Sequence, residues 1–150
     1  MRGIDILKQN RNYMSVLVSG LDEKSLLFIP KGFKTNILWN LGHILVTQQM
    51  LHYSLAGKRI NMPPPLRKLF QKESSPARWV KTPDVEQVKS LFLELPGKLQ
   101  EDYEAGIFTE YQEFITMTGY RLSCIEDAIE FNNFHEGYHA GIIHSFTKIQ

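Results

Sequence analysis

Residues 123–143 read S-C-I-E-D-A-I-E-F-N-N-F-H-E-G-Y-H-A-G-I-I, and this stretch decides the fold. It contains no proline and opens with Ser123 and Glu126 at capping-box spacing. The pattern predicts a last helix that reaches nearly to the C-terminal residue. Wound at about 100° per residue, one face carries Cys124, Ala128, Phe131, His135, Tyr138, His139, Ile142 and Phe146. Glu126, Glu130, His144 and Lys148 collect on the other side. His135 and His139 stand at i and i+4, so their rings lie one above the other, close enough to share one ion. At the middle of an apolar stripe two imidazoles need partners, because unpaired polar groups are costly to bury. Core hydrogen bonds would supply them, and so would a metal ion.

Outward from this helix, three more segments have helical periodicity. The first runs from Ile4 to Ser19, with Ile6, Asn10, Tyr13 and Leu17 as its stripe. A turn-rich piece, LDEKSLLFIPKGF, follows. The second starts near Thr35 as N-cap and ends before Gly57, with Ile37, Leu41, Ile44, Leu51 and Leu55 as its apolar face. No charged residue occurs between Asn36 and Ala56, yet the amides, Thr47 and two histidines there describe a helix buried in protein, not in lipid. The third opens with Thr82 as N-cap and Pro83 at the first position, and continues through Val85, Val88, Phe92, Leu95 and Leu99. Pro96 predicts a kink or break within it. Between the second and third helices the NMPPPL stretch excludes a continuous helix. Residues 106–122 are rich in β-branched and aromatic side chains, as in an extended loop or short hairpin.

These segments give an all-α, single-domain chain over residues 1–150. A long connection lets the second and third helices run parallel, so a four-helix bundle with up-down-down-up topology is the simplest arrangement. The charge is nearly balanced, with 17 Lys plus Arg against 16 Asp plus Glu, and no run of like charges occurs. Such a balance gives no general attraction to nucleic acid or membrane, and neither partner is expected. The single cysteine, Cys124, permits no internal disulfide and fits a reducing compartment. The opening MRGIDILKQN has no apolar signal core, so a cytoplasmic location is expected.

A metal bound at His135 and His139 wants a third protein ligand, and the second helix offers His43. It stands in a polar band with Asn36, Asn40 and Thr47, flanked by Trp39, Val46 and Met50. Trp39, Asn40, Thr47 and Met50 are therefore candidate pocket residues. Gly42, just before His43, would allow another element to approach closely. His52 lies nine residues further on, points the other way and is set aside as a ligand. Asn132, three residues before His135, is placed to hydrogen-bond the ligands from behind. Three neutral imidazoles leave the ion's charge uncompensated and a coordination position open, as in catalytic sites. An ion so held lowers the pKa of a bound water or holds a thiol as thiolate. Residues 135–139 also match H-E-x-x-H, the zinc-peptidase signature, which makes Glu136 a candidate general base. Only eleven residues follow His139, however, and no upstream sheet is evident to hold a peptide. The peptidase reading is accordingly set aside.

In combination, N-I-L-W-N-L-G-H at Asn36–His43, T-P-D-V-E at Thr82–Glu86 and H-E-G-Y-H-A-G at His135–Gly141 resemble the DinB-like (DinB/YfiT-like) metalloenzyme family. The resemblance spans nearly the whole chain. It implies an up-down-down-up four-helix bundle and a three-histidine metal site, which falls on His43, His135 and His139. It further implies zinc or nickel as the metal, frequent homodimers, and relatives that use low-molecular-weight thiols in transferase or isomerase reactions. Imidazole ligands by themselves also suit copper and iron. Two readings stand side by side. One is a metal-dependent enzyme acting on a small molecule through a thiol or a water. The other is a stress protein that binds metal or a small ligand without turnover.

Overall fold

A computed structural model describes residues 1–149. Helix α1 spans Arg2–Val18, and a short α2 spans Glu23–Leu27. Helix α3 spans Ile37–Gln49 and runs on into a π-helical turn at Met50–Ser54. Then come α4 (Pro64–Phe70), a 3₁₀ turn (Pro76–Arg78) and α5 (Val85–Glu104). A two-stranded antiparallel ribbon pairs β1 (Phe114–Ile115) with β2 (Arg121–Leu122) and leads into α6 (Ile125–Phe146). The chain is thus predominantly helical, and the hairpin is the form taken by part of the 106–122 segment.

The helix boundaries follow the side chains able to reach an exposed N–H. Asn36, not Thr35, caps α3 by accepting from the Trp39 N–H at 2.7 Å. Asp84, two residues beyond Thr82, caps α5 through the Gln87 N–H. The Ser123–Glu126 capping box does not form. Cys124 takes the cap position, Ser123 donates its N–H to Asp127, and Glu126 accepts from the Tyr103 hydroxyl. The three prolines of 63–65 start a helix: Pro63 precedes α4, and Pro64 and Pro65 occupy its first turn, where a missing N–H leaves no bond unmade.

Helix α1 lies against α5 and α6, and α3 lies against the same two helices. Two apolar clusters form between them. One contains Met14, Ile37, Leu41, Phe92 and Ile143; the other contains Leu7, Leu51, Leu99, Ile125 and Ile129. Along α1, α3 and α6 a buried polar residue separates the two. Arg11 lies between Leu7 and Met14, Gln48 between Ile44 and Leu51, and Glu136 between Ile129 and Ile143.

Pro96 does not break α5, which is continuous through it. Lacking an N–H, Pro96 cannot bond the carbonyl of Phe92 four residues back. Arg11 Nη1 supplies the missing donor at 2.9 Å. The same guanidinium pairs with Glu136 at both oxygens, Nε to Oε2 and Nη2 to Oε1, each at 2.8 Å. It also donates to Gln48 Oε1 at 2.9 Å and sits 4.4 Å above the Phe92 ring. Asn132 adds a bond to Glu136 Oε1. Arg11 is 1% exposed and Glu136 is fully buried.

This pair corrects two faces read from periodicity. The buried side of α1 is Ile4, Leu7, Arg11, Met14 and Val18, while Ile6 and Tyr13 are about half exposed. In α6 the buried side runs through Ile125, Ala128, Ile129, Asn132, Glu136, His139, Ile143 and Phe146, and Tyr138 faces solvent. His139 therefore lies on that face, as read from periodicity, and His135, only partly buried, lies at its edge. Each charge is buried because the other meets it.

Removing one partner strands a charge in the core, so Arg11→Ala or Glu136→Ala is expected to cost about 3–5 kcal/mol in urea unfolding. The double variant Arg11→Met/Glu136→Met should lose far less than the two single losses combined. Strict additivity would show that the pair does not act as a unit.

Candidate metal centre

His43 is held from three sides. Gly42 has no side chain, so the Phe70 ring of α4 lies where a Cβ would stand, 2.3 Å from that position. The close approach brings the Phe70 carbonyl to His43 Nδ1 at 2.8 Å. A carbonyl only accepts, so Nδ1 carries the proton and Nε2 keeps its lone pair. The Trp39 indole stacks flat on the imidazole, with centroids 4.6 Å apart and planes 9° from parallel. Trp39 is itself fixed by its Nε1–H bond to Ser74 Oγ.

His139 is fixed in the same way. Asn40 donates through Nδ2 to the Asn36 carbonyl, which turns its Oδ1 toward His139 Nδ1 at 2.7 Å. Nδ1 of His139 therefore also carries the proton, leaving Nε2 as the lone-pair nitrogen. His135 Nδ1 is buried with no hydrogen-bond partner. The three rings converge, with centroids 5.4 Å (His43–His135), 5.1 Å (His43–His139) and 4.5 Å (His135–His139) apart. One nitrogen from each lies within 4.8 Å of the other two.

The electrostatics keep this cluster uncharged. Burial, reinforced by the neighbouring His43, pushes His135 down to about 3. Burial together with His135 and His43 pushes His139 to about 2. Burial also lowers His43, against the opposing pull of the Phe70 carbonyl. Neutral imidazole is the form that ligates metal. Two ring orientations fixed by hydrogen bonds, one orphaned buried nitrogen and three convergent lone-pair donors fit a divalent cation.

The other candidate residues divide. Asn40, Trp39 and Thr47 belong to the centre, Thr47 through its hydroxyl 3.4 Å from His43 Nε2. Met50 lies on the π-helical turn and is 41% exposed. Asn132 bonds Glu136 and not a histidine. Glu136 is corrected as a general base. Both of its oxygens are taken by Arg11 and Asn132 inside the core, and no carboxylate belongs to the cluster among the described residues. His52 stays apart from the cluster, fully buried on the π-helical turn, where desolvation pushes it to about 3. Periodicity missed the Phe70 carbonyl, since a backbone group has no sequence signature; Gly42 was the only trace of its approach.

A comparison with protein-family models matches residues 6–143 to the DinB superfamily. No curated protein matches the chain.

Two predictions follow from this geometry. Substituting Gly42→Ala or Asn40→Leu removes the hold on one ring without touching a ligand, and each should weaken zinc affinity about 10–100-fold. An unchanged affinity would separate the rings' orientation from metal capture. The second concerns acid. His52, His135 and His139 titrate at 3 or below when folded, against an ordinary imidazole value of 6.5. The unfolded chain therefore binds more protons below 6.5. Their stabilisation is complete above that pH and falls as pH drops, by roughly 1 kcal/mol per histidine per pH unit. Urea unfolding of metal-free protein at pH 7.5 and 5.5 measures it, and equal stabilities would contradict burial of these neutral rings.

Proposed function

The chain belongs to the DinB superfamily, and from this premise we propose that it is a metal-dependent enzyme acting through His43, His135 and His139. The same reading takes the four long helices as an up-down-down-up bundle. The three histidines would hold a divalent ion, zinc or nickel, and Asn40 and the Phe70 carbonyl would keep their rings aimed. When bound, such an ion draws a coordinated thiol or water toward its deprotonated form.

The single observation that carries this reading is the convergence of three neutral imidazoles with no acidic ligand. Neutral ligands leave the cation's full charge available to an incoming anion. Among the described residues, no carboxylate stands at the cluster to relay a proton, because Glu136 serves Arg11. Hydrolysis needs a proton taken from water and another given to the leaving group. Transfer of a low-molecular-weight thiol would ask less of the protein. The S–H proton, far more acidic than that of water, would pass to solvent, and an acceptor that releases a stable anion as the S–C bond forms needs no proton returned. This difference favours the thiol transferase over the hydrolase. Thr47 is placed to donate its hydroxyl to an anion near His43, and Trp39 walls that side of the ring.

Zinc- or nickel-loaded protein is expected to consume thiol when given low-molecular-weight thiols with an electrophilic acceptor, followed by thiol titration and mass spectrometry. His135→Ala should abolish the reaction and Glu136→Gln should not abolish it in the folded fraction. Ester hydrolysis without thiol consumption would reverse the preference between the two chemistries. Tight metal binding without turnover of any pair would replace the enzyme by a metal-binding protein.

A further inference from the structure

Charge is unevenly distributed along this balanced chain. Residues 24–72 contain eight Lys or Arg and no Asp or Glu, although no two acidic or basic blocks adjoin as a long run. Three of these cations, Lys58, Arg59 and Arg67, line one cavity of about 730 Å³ beyond the C-terminal end of α3. The remaining wall includes Ser54, Asn61 and Pro63. Among the described residues, none of the three cationic side chains has an ion-pair or hydrogen-bond partner.

The cavity's loop is held in place. Lys58 N–H donates to the Tyr53 carbonyl at 2.8 Å, and Asn61 N–H donates to the buried Gln49 Oε1 at 2.7 Å. Gly57 takes the left-handed conformation, φ +66, that turns the chain between these anchors. Pro63 and Pro64 stiffen the far side. Like charges gathered around a fixed concavity repel one another when it is empty, and an anion relieves that repulsion. The volume suits a small molecule, being within the usual range of roughly 300–1,000 Å³ for ligand sites.

We propose that this cavity binds a small molecule bearing a doubly charged oxyanion, a phosphate ester or a dicarboxylate, held by Lys58, Arg59 and Arg67. It is separate from the three histidines, none of which lines it. Helix α4 adjoins both sites: Arg67 lies three residues, one helical turn, before Phe70, whose carbonyl fixes His43. Guanidinium groups pair two-pronged with phosphate or carboxylate, so the two arginines give the site its affinity and orientation.

Amide chemical-shift titrations of the full chain with inorganic phosphate, a hexose monophosphate and succinate test the proposal. Saturable shifts confined to residues 54–67 are expected, and the probe that binds most tightly distinguishes phosphate from carboxylate. Arg59→Gln/Arg67→Gln should weaken that binding tenfold or more at an unchanged unfolding midpoint. Lys31→Gln/Lys34→Gln, which removes two cations of the same stretch outside the cavity, should leave it intact. The proposal is overturned if no probe saturates, if both double variants weaken binding equally, or if only oligonucleotides or anionic vesicles bind. Because the readout needs no metal and no turnover, its failure would leave the histidine site untouched.

Discussion

Arg11 enters the core as a charge, and every long helix supplies something to receive it. Helix α6 gives both carboxylate oxygens of Glu136, α3 gives Gln48 Oε1, and α5 gives the Phe92 carbonyl that Pro96 leaves unbonded. Four charge-assisted or carbonyl bonds converge on one guanidinium that has lost its water. A buried ion pair of this sort is tolerable only when nearly all its lone pairs and protons are satisfied. That demand makes it selective: the four helices must be in register, both along their axes and in rotation, for the bonds to close together. Apolar clusters on either side supply the bulk of the burial but would accept many rotations.

The metal centre depends on this register. With Glu136 held on the buried face of α6, His135 one residue before it falls at the edge, while His139 three residues later shares that face and meets Asn40 of α3. There Asn40 and His43 wait one turn apart on a helix without a charge. Helix α4 then closes the third side, admitted by the bare backbone of Gly42. A polar layer that orders the helices and a histidine cluster that needs them ordered thus meet on α6, at the consecutive residues His135 and Glu136.

Much of this was legible in the sequence, and what was missed has one cause. The long helices and the three histidines follow from spacing and from segments free of charge, so local pattern was enough. The faces of α1 and α6 did not, because periodicity treats a charged residue as solvent-facing. Ile4, Leu7, Met14 and Val18 keep a regular 3-4 spacing with Arg11 in the gap, and Ile129 and Ile143 do the same around Glu136. The ion pair joins residues 125 positions apart, and no local rule connects them. Glu136 was drawn toward the site by the H-E-x-x-H pattern, whereas the structure turns it inward to Arg11. The caps at Asn36 and Asp84 moved by one or two residues because geometry, not residue type alone, selects the side chain that reaches the open N–H.

Metal stoichiometry tests the central claim most directly. Protein purified without affinity-tag metals, dialysed against zinc or nickel and analysed for elements, should hold about one ion per chain. The variant His43→Ala/His135→Ala/His139→Ala should hold none while keeping its helical content. A natural protein that takes up neither metal, or a triple variant that retains the ion, would contradict the assignment of these histidines as a metal centre.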